Sequence, residues 1–449
     1  MKPFNPTTHR TGIVHIGPGA FHRAHQAIYT EDAMRREDGD WRITAISPKS
    51  TQTVDDLLAQ DGAYTLVTRG AAGTTYRRIQ VHSGAIAAAR DPDQALAAIT
   101  TPQTRIVSLT ITEKAYRPDA GIMQLMAKAM ARRRDAGLAP VTFLSCDNLP
   151  SNGRILRKVM LDAATVLDPG LADWLAAKAR FPSSMIDRIT PATTSDLLAE
   201  VARETGWADQ IPVETEDFSQ WVIEDDFGLG RPAWDTAGAL LVRDVAPYEN
   251  MKLRMLNGAH SMLAYAGHVA GFRFVRDVMS HPMLADQVAR HMDAAATSLS
   301  DADDLDPMGY KTALLDRFRN PAIAHETWQI TMDGSQKMPQ RIFLPALDAH
   351  RNGTGLEAFA VATALWLRYL DGQTEAGQRH ALRDPRETEL RALPGPAQDR
   401  VDALCALPDL VPVALANLPQ FRELSVTALT AIREHGILAA LGPDLAKSP

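Results

Sequence analysis

Cysteine is nearly absent from this chain, which has two among its 449 residues, Cys146 and Cys405. Two thiols cannot build the disulfide framework of a small secreted domain, and they are too few for a zinc site made of cysteines. A continuous apolar run of about 18 residues, long enough to span a membrane, is also missing. Residues 1–10 are polar and lack the pattern of a signal peptide, so we expect a cytoplasmic protein.

An excess of positive charge is absent as well, since 47 Lys and Arg residues face 54 Asp and Glu residues and leave a net charge of −7. This balance argues against the sequence-independent attraction to nucleic acid or to an anionic membrane that basic proteins show. Hydrophobic residues make up 45% of the chain and charged residues 22%, as in ordinary globular proteins. The length exceeds what one hydrophobic core organises, so two domains are predicted.

The first pattern that indicates a function lies near the N-terminus. Residues 12–16 read as a short buried strand, Gly17-Pro18-Gly19 follows, and residues 24–34 read as a helix. In this setting a G-x-G motif predicts nucleotide binding, because glycine lets the backbone approach a pyrophosphate and a helix N-terminus offers free N–H groups. His22 stands where the motif usually has a third glycine or an alanine.

A second strand is predicted at residues 41–46. The dinucleotide pattern has an acidic residue at the end of this strand, where it binds the ribose hydroxyls. Here Ser47-Pro48-Lys49-Ser50 follows instead. Because Lys49 tolerates a ribose phosphate, these residues leave both NAD and NADP open.

Two later strands are predicted at residues 106–111 and 141–144, with a helix at residues 121–134 between them. This alternation predicts a parallel, doubly wound α/β sheet. Polar clusters follow both strands, at residues 112–116 and 145–153, and open α/β sheets bind ligands at the carboxyl ends of their strands.

Structural roles are the alternative for the acidic and amide residues of these clusters. Asp147 and Asn148 have the side chains of helix caps and Asx turns, and either use is as reasonable as ligand binding. Asp187 lies in a short apolar run and has Arg188 beside it as an ion-pair partner. Cys146 reads as a small buried hydrophobic residue.

Long helical patterns replace the strands from residue 247 onward, at residues 252–268, 282–295, 356–370 and 424–441. We therefore predict a dinucleotide-binding domain at residues 1–246 and a mostly α-helical domain at residues 247–449. The polar residues 328–341 interrupt these helices, and their structural interpretation is a solvated loop with an Asp-Gly turn.

One helical stretch, residues 249–260, combines an apolar circumference with three polar side chains. At about 100° per residue, His260 lies about 80° and Asn257 about 140° from Lys252 around the helix axis. A helix that is apolar on most sides is buried, and buried polar groups need partners. The three residues are either satisfied core groups or a catalytic group, and the nucleotide motif elsewhere in the chain favours the catalytic interpretation.

Together these motifs resemble the polyol-specific long-chain dehydrogenases, the mannitol dehydrogenase family. The residues that carry the resemblance are Gly17-x-Gly19-x-Phe21-His22-Arg23-Ala24-His25-Gln26, Thr112-Glu113-Lys114, Ser145-Cys146-Asp147-Asn148, Asp187-Arg188-Ile189-Thr190-Pro191 and Lys252-x4-Asn257-x2-His260. The resemblance implies an N-terminal Rossmann-type domain, a helical C-terminal domain, an active site between them, and no metal.

The resemblance also implies a role for each matching position. Lys252 would be the general acid/base, Asn148 and Asn257 would donate amide N–H bonds to the reacting oxygen, and His260 would orient the substrate. Glu249 would move protons between Lys252 and solvent. The residues implied in cofactor binding are Gly17, Gly19, Ala20, Phe21, His22, Arg23, Ser47, Thr112, Glu113, Asp147 and Asp187.

The chemistry of alcohol oxidation needs such a set. Hydride transfer leaves charge on the substrate oxygen, so one group must exchange its proton and others must stabilise the oxyanion. Burial lowers the pKa of a lysine, and a positive nicotinamide lowers it further. The cofactor, NAD with NADP as the alternative, supplies the hydride chemistry.

The resemblance is closer to the fructuronate reductase branch, which implies reduction of fructuronate to mannonate. A uronate carboxylate needs a cation, and Lys337, with Arg341 or Lys114 as second candidates, could provide it. The residues expected to border the substrate are Lys337, Gln329, Arg341 and Lys114. The alternatives are mannitol, arabinitol or sorbitol as substrate, a catalytically silent sugar or nucleotide sensor, and a metal enzyme that uses His22 and His25. We expect a monomer or a small homo-oligomer.

Overall fold

The computed structural model describes residues 4–299 and 305–442. The chain separates into two compact units, Met1–Ala246 and Pro247–Pro449. In the part of the chain that the model describes, no helix has the length and apolar character needed to cross a membrane.

Among residues 4–299 and 305–442, the strands lie in the first unit. They are β1 (Thr11–Ile16), β2 (Arg42–Ser47), β3 (Tyr64–Gly70), β4 (Gly73–Ile79), β5 (His82–Ala87), β6 (Ile106–Leu109), β7 (Thr142–Ser145), β8 (Ser184–Asp187), β9 (Val213–Glu216), β10 (Gln220–Glu224) and β11 (Leu240–Val242). The helices that begin in this unit are α1 (Ala20–Ala24), α2 (Gln26–Arg36), α3 (Gln52–Ala59), α4 (Pro92–Thr100), α5 (Gly121–Asp135), α6 (Asn152–Leu167), α7 (Pro169–Lys178), α8 (Ser195–Thr205) and α9 (Ala246–Met251). Short 3₁₀ helices occupy Pro6–Thr8, Glu113–Ala115 and Trp234–Ala237.

Five parallel strands form the main sheet, in the order β5-β2-β1-β6-β7. The predicted Rossmann-type sheet is thereby confirmed. Side chains of β1 alternate between two separate cores, since Ile13 lies in one and Val14 and Ile16 lie in the other. Burial on both faces is what a parallel sheet covered by helices requires. The chain reverses its direction of winding beside β1, which is the place where such sheets bind ligands.

Two small three-stranded sheets were not anticipated, with the orders β4-β3-β9 and β11-β10-β8. The hairpin of β3 and β4 pairs in register from Tyr64 with Ile79 to Gly70 with Gly73, and β9 then adds in parallel to β3. β8 pairs antiparallel to β10. Local patterns could not reveal the pairing of β9 with β3 or of β8 with β10, because these strands are far apart in the sequence. The hairpin of β3 and β4 is local, and no strands were predicted there from the sequence.

The first helix differs from the single helix predicted at residues 24–34. It begins at Ala20 and is interrupted at His25, which has φ −125° and ψ −93°. Side chains from elsewhere bind the carbonyl groups at the interruption, because the Tyr64 hydroxyl donates to Arg23 O at 2.5 Å and Arg188 Nη1 donates to Ala24 O at 2.6 Å. Tertiary contacts therefore replace two helical hydrogen bonds that sequence reasoning assumed.

The second unit is helical, as predicted. Its α-helices are α10 (Gly258–Ala270), α11 (Val275–Ser280), α12 (Pro282–Thr297), α13 (Pro307–Arg319), α14 (Thr327–Ile330), α15 (Gly334–Met338), α16 (Leu344–Arg351), α17 (Glu357–Tyr369), α18 (Glu387–Arg391), α19 (Ala397–Ala406), α20 (Val413–Ala416), α21 (Pro419–His435) and α22 (Ile437–Ala440). Two segments are π-helical, Lys252–Asn257 and Pro339–Phe343.

Three details of this unit correct the sequence-based expectations. The helix expected at residues 424–441 is two helices, because Gly436 between them adopts φ 80°. Residues 328–341 are not a solvated loop but helical turns in which Ile330 and Met338 are buried. The helix expected at residues 252–268 starts with a π-helical turn, so the regular 100° wheel does not hold between Lys252 and His260.

Candidate functional site

The carboxyl edge of the main sheet brings together most of the residues predicted to bind the cofactor. The amides of Gly17, Thr110 and Cys146 each donate to a carbonyl of the neighbouring strand, at 2.9, 2.9 and 2.8 Å, so three chain segments leave the sheet side by side. The predicted residues in the segments that leave this edge are Gly17, Gly19, Ala20, Phe21, Ser47, Thr112, Glu113, Lys114, Asp147 and Asn148. Asp187 ends β8, which belongs to another sheet.

The glycine turn after β1 has the geometry that a dinucleotide needs. Gly17 adopts φ +95°, and an added Cβ would lie 2.0 Å from the carbonyl oxygen of Thr110, so the position requires glycine. The Gly17 carbonyl accepts from the Thr110 hydroxyl and from the Gly19 amide, both at 2.7 Å. An added Cβ at Gly19 would meet no atom within 4 Å. The open space beside the Gly19 backbone therefore fits the close approach of a pyrophosphate.

His22, at the position of the usual third glycine, does not face a ligand. Its ring is fully buried and stacks on the ring of His15, with centroids 3.4 Å apart, and its Nε2 lies 3.0 Å from Nε2 of His82. Burial lowers the pKa of His15 and of His82 to about 3, and burial together with the neighbouring histidines lowers the pKa of His22 well below its usual value. The lowered pKa values favour the neutral form of the three rings, and His15 connects them with the glycine turn, since its Nε2 lies 3.2 Å from Gly17 O.

Arg23 is likewise buried beneath the turn. Its Nε donates to Pro18 O at 3.3 Å, and its Nη1 donates to Ile211 O. The side chain is 5% exposed, so its guanidinium binds backbone carbonyl groups and not solvent. His25 Nε2 lies 3.1 Å from Gln220 O, whereas His22 contacts His82, so His22 and His25 do not converge on a common point.

The polar residues after β6 and β7 divide into a structural set and an exposed set. Tyr116 donates its hydroxyl to the Asp147 carboxylate at 2.6 Å, and the Ile111 amide donates to the same oxygen at 3.1 Å. Burial raises the pKa of Asp147 to about 6. Asn148 is exposed, as are the residues Thr112, Glu113 and Lys114. The contacts of Asp147 with Tyr116 and Ile111 support the structural alternative for this residue, while Asn148 is accessible to a ligand.

In the second unit, the predicted catalytic residues lie in one continuous helical run. Glu249 belongs to α9, Lys252 and Asn257 are the first and last residues of the π-helical turn, and His260 belongs to α10. Lys252, Asn257 and His260 are all half-buried. A π-helical turn inside an α-helix is rare and frequently marks a functional site, which makes this run the strongest candidate for the catalytic part of the site.

His260 is held by two aromatic side chains that sequence reasoning missed. Its ring stacks on Phe318 with centroids 4.4 Å apart and meets the edge of His325 at 5.4 Å. Burial, with smaller effects from His325, Arg317 and Arg341, lowers the pKa of His260 well below its usual value. A neutral imidazole can both donate and accept a hydrogen bond. Phe318 and His325 lie 58 and 65 positions after His260 in the sequence, so no local pattern linked them.

The residues expected to border the substrate have different environments. Gln329 is exposed on α14. Lys337 is half-buried on α15 and donates to Ile330 O at 3.2 Å; burial and the nearby Arg341 lower its pKa, while Asp333 and Asp384 act in the opposite direction. Arg341 donates to Asn257 O at 3.3 Å and to Ser261 Oγ at 3.1 Å. The guanidinium of Arg341 therefore binds the helix that carries Asn257.

Within residues 4–299 and 305–442, no group of three or more His, Cys, Asp or Glu side chains is arranged to hold a metal ion. The groups with shifted pKa values near the predicted site residues include the buried histidines, Asp147 and the half-buried Lys337. A parallel sheet with a glycine turn and a helix that presents lysine, asparagine and histidine define the class of nucleotide-dependent oxidoreductases.

Comparison with known families agrees with this class. The Mannitol dehydrogenase Rossmann domain model matches residues 11–236, and the Mannitol dehydrogenase C-terminal domain model matches residues 244–433. The chain therefore belongs to the mannitol dehydrogenase family of oxidoreductases, as the sequence motifs indicated.

Individual relatives extend over nearly the whole chain. The D-mannonate oxidoreductase of Escherichia coli (strain K12) is 39% identical over 449 residues, which cover 93% of this chain and 92% of that protein. The Pseudomonas fluorescens mannitol 2-dehydrogenase, in a ternary complex with NAD and D-mannitol, is 34% identical, with a TM-score of 0.76 and coverage of 99% and 96%. A substrate-free D-sorbitol dehydrogenase is 29% identical, with a TM-score of 0.90 and coverage of 98% and 96%.

Proposed function

We propose that this chain is an NAD-dependent, metal-independent secondary-alcohol dehydrogenase that interconverts D-fructuronate and D-mannonate. The choice of this substrate is supported by the 39% identity to the Escherichia coli D-mannonate oxidoreductase over 93% of the chain. NADP is the alternative cofactor. An acidic residue after the second strand usually binds the ribose hydroxyls of NAD, but Lys49 follows β2 here and can accommodate the additional phosphate of NADP.

Lys252 is proposed as the group that exchanges a proton with the sugar oxygen. Bound nicotinamide supplies the hydride acceptor or donor. Asn257, five residues along the same helical run, donates its side-chain amide to the reacting oxygen, and Asn148 provides a second amide donor. Two neutral amides stabilise a developing oxyanion without adding another group that titrates. Glu249 precedes Lys252 by three positions, where neighbouring side chains of a helix meet, and passes protons between Lys252 and solvent.

His260 orients the substrate through a hydroxyl group. Its neutral ring, stacked on Phe318, can donate to one sugar oxygen or accept from it without bringing a competing charge to the site. The substrate carboxylate is assigned to Lys337, whose half-buried ammonium group forms a stronger ion pair than a fully solvated one. Gln329 and Lys114 are further candidates for contact with the sugar.

A substrate panel tests this proposal directly. Purified protein is mixed with NADH or NADPH and then with D-fructuronate, D-fructose or other ketoses, and the absorbance of the reduced nicotinamide is followed. We expect the largest kcat/KM with D-fructuronate and NADH. Oxidation of NADH with D-fructose but not with D-fructuronate would contradict the uronate assignment and leave the dehydrogenase chemistry intact.

Mannitol 2-dehydrogenase activity is the second candidate. It is supported by the 34% identity, over 99% of the chain, to the Pseudomonas fluorescens enzyme in complex with NAD and D-mannitol. The same residues would carry the reaction, since the chemistry at the secondary alcohol is unchanged. The same panel, run in the oxidative direction with D-mannitol, D-arabinitol and D-sorbitol, separates this candidate from the first.

A further inference from the structure

We propose that Arg341 is a positioning residue, which holds the turn that carries Lys252 and Asn257 in its π-helical form, and that it does not bind the substrate carboxylate. This inference rests on the proposed function of Lys252 and Asn257. It reassigns one of the cations that the sequence offered for the carboxylate, and it gives the π-helical turn a physical cause.

The Arg341 guanidinium contacts the helical run directly through two hydrogen bonds. Nη1 donates to the carbonyl oxygen of Asn257 at 3.3 Å and to the hydroxyl of Ser261 at 3.1 Å. These two acceptors lie four residues apart, so one guanidinium connects the last residue of the π-helical segment with the first turn of α10. Hydrogen bonds from a charged donor are stronger than those between neutral groups.

The backbones of the same two segments also approach each other closely. An added Cβ at Gly258 would lie 2.9 Å from the carbonyl oxygen of Arg341 and 3.0 Å from Nε2 of His291. Gly258 has φ −62° and ψ −52°, which any residue can adopt, so the position needs glycine for space alone. Arg341 itself lies in the other π-helical segment, Pro339–Phe343. The two π-helical segments thus approach each other at Gly258, the residue that follows the first of them. The Arg341 side chain binds the carbonyl oxygen of the adjacent Asn257.

The π-helical turn matters because it sets the direction of the proposed catalytic side chains. Its hydrogen bonds run from residue i to i+5, so it holds more residues per turn than an α-helix does. The angle between Lys252 and the residues after it therefore differs from the value for a regular helix. If the turn relaxed to α-helical geometry, Lys252 would rotate relative to Asn257 and His260. A misplacement of about 1 Å can lower a rate by about 10²-fold.

The test uses Arg341→Met, which removes the donors and keeps much of the aliphatic length. We expect kcat to fall about tenfold to about 10²-fold, with the same ratio for D-fructuronate and for the uncharged D-fructose, and with KM for NADH unchanged. Arg341→Lys restores one donor and recovers part of kcat. Arg203→Met removes an arginine of α8 that is 68% exposed and serves as the matched control, with kcat unchanged.

Two milder variants address the same contact without removing the guanidinium. Ser261→Ala removes one acceptor, and Gly258→Ala pushes the Arg341 backbone away; both should lower kcat in the same way and leave KM for D-fructuronate unchanged. A rise in KM for D-fructuronate alone in Arg341→Met, with kcat retained, would overturn the proposal in favour of carboxylate binding. Unchanged kinetics in Arg341→Met and Gly258→Ala would also overturn it.

Hydrogen exchange separates failure of this inference from failure of the proposed function. In the intact chain, the amides of residues 253–261 should exchange faster in Arg341→Met than in the wild type or in Arg203→Met. This readout needs no substrate, so it decides the positioning role even if neither sugar is turned over. Equal exchange in the three proteins would refute the role of Arg341 in holding this turn.

Discussion

The hydroxyl of Tyr116 lies 2.6 Å from the carboxylate of Asp147 and joins the segment after β6 to the segment after β7. The same hydroxyl lies 2.6 Å from Ser145 Oγ. Asn148, the proposed amide donor of the first unit, follows Asp147 directly. The position of Asn148 therefore depends on a tyrosine 32 residues earlier in the chain.

The buried carboxylate of Asp147 should give the protein a measurable pH dependence. Its pKa rises from 3.8 in a model compound to about 6 in the fold, so its ionisation costs stability as pH rises through about 6. Asp147→Asn keeps an acceptor for Tyr116 and removes the charge. Relative to wild type, this variant should gain roughly 1 kcal/mol of unfolding free energy between pH 5 and pH 8. Urea unfolding at both pH values measures the change, and a constant difference would contradict it.

The buried histidines should act in the opposite direction. His82 has its pKa lowered from 6.5 to about 3, so it stays neutral in the fold, whereas the unfolded chain takes up a proton below about pH 6.5. Stability from this group is lost as pH falls, by about 2 kcal/mol at pH 5. His82→Gln should remove that part of the acid sensitivity, as seen in unfolding curves at pH 7.5 and pH 5. His435→Gln replaces an exposed histidine and serves as the control.

Replacement of Lys252 tests the proposed acid/base chemistry. Lys252→Ala removes the group that exchanges the substrate proton, and general acid/base catalysis typically contributes about 10²–10⁴-fold to a rate. We expect kcat to fall by that amount while NADH still binds, as measured by fluorescence titration. Lys158→Ala, which replaces a lysine that is 77% exposed, should leave both values unchanged. Undiminished turnover in Lys252→Ala would rule out the mechanism.

The two glycines of the turn should respond differently to alanine. Gly17→Ala puts a Cβ 2.0 Å from Thr110 O at φ +95°, so it should lower the melting temperature. Gly19→Ala meets no protein atom within 4 Å, so the fold should keep its stability while NADH affinity falls about tenfold or more. Gly121→Ala, in equally open space at the start of α5, is the control for both measurements. Full NADH affinity in Gly19→Ala would place the pyrophosphate elsewhere.

Local patterns predicted the elements that are long or fully buried. β1 and the helix α5 appear within one residue of their expected bounds, because apolar periodicity and the flanking glycines signal them directly. The same reasoning missed the interruption at His25, since the groups that bind the helix carbonyls there come from Tyr64 and Arg188. A contact made over such a separation leaves no trace in a window of a dozen residues.

The candidate site shows the same division. The positions of Lys252, Asn257 and His260 along one helical run followed from their spacing, but the π-helical turn between them did not. Its cause lies at Gly258 and Arg341, which are 83 residues apart and meet only in the folded chain. Residues 328–341 were interpreted as a solvated loop, yet Ile330 and Met338 are buried and form a repeat at multiples of four with Ile342, the next residue of the chain. The Asp333-Gly334 pair, with Asp333 at φ 58°, concealed that repeat.

The amides of Gly17, Thr110 and Cys146 each bond to the neighbouring strand beyond the end of their own strand. These three hydrogen bonds fix the backbone at the start of each segment before a ligand arrives. A nucleotide would bind at a sheet edge that is already formed. The entropy cost of ordering would then fall on the ligand and on the exposed segments that follow, such as Thr112 to Lys114. Differences in cofactor affinity among variants should then arise from the exposed residues of those segments, Gly19 included, and not from the three bonded amides.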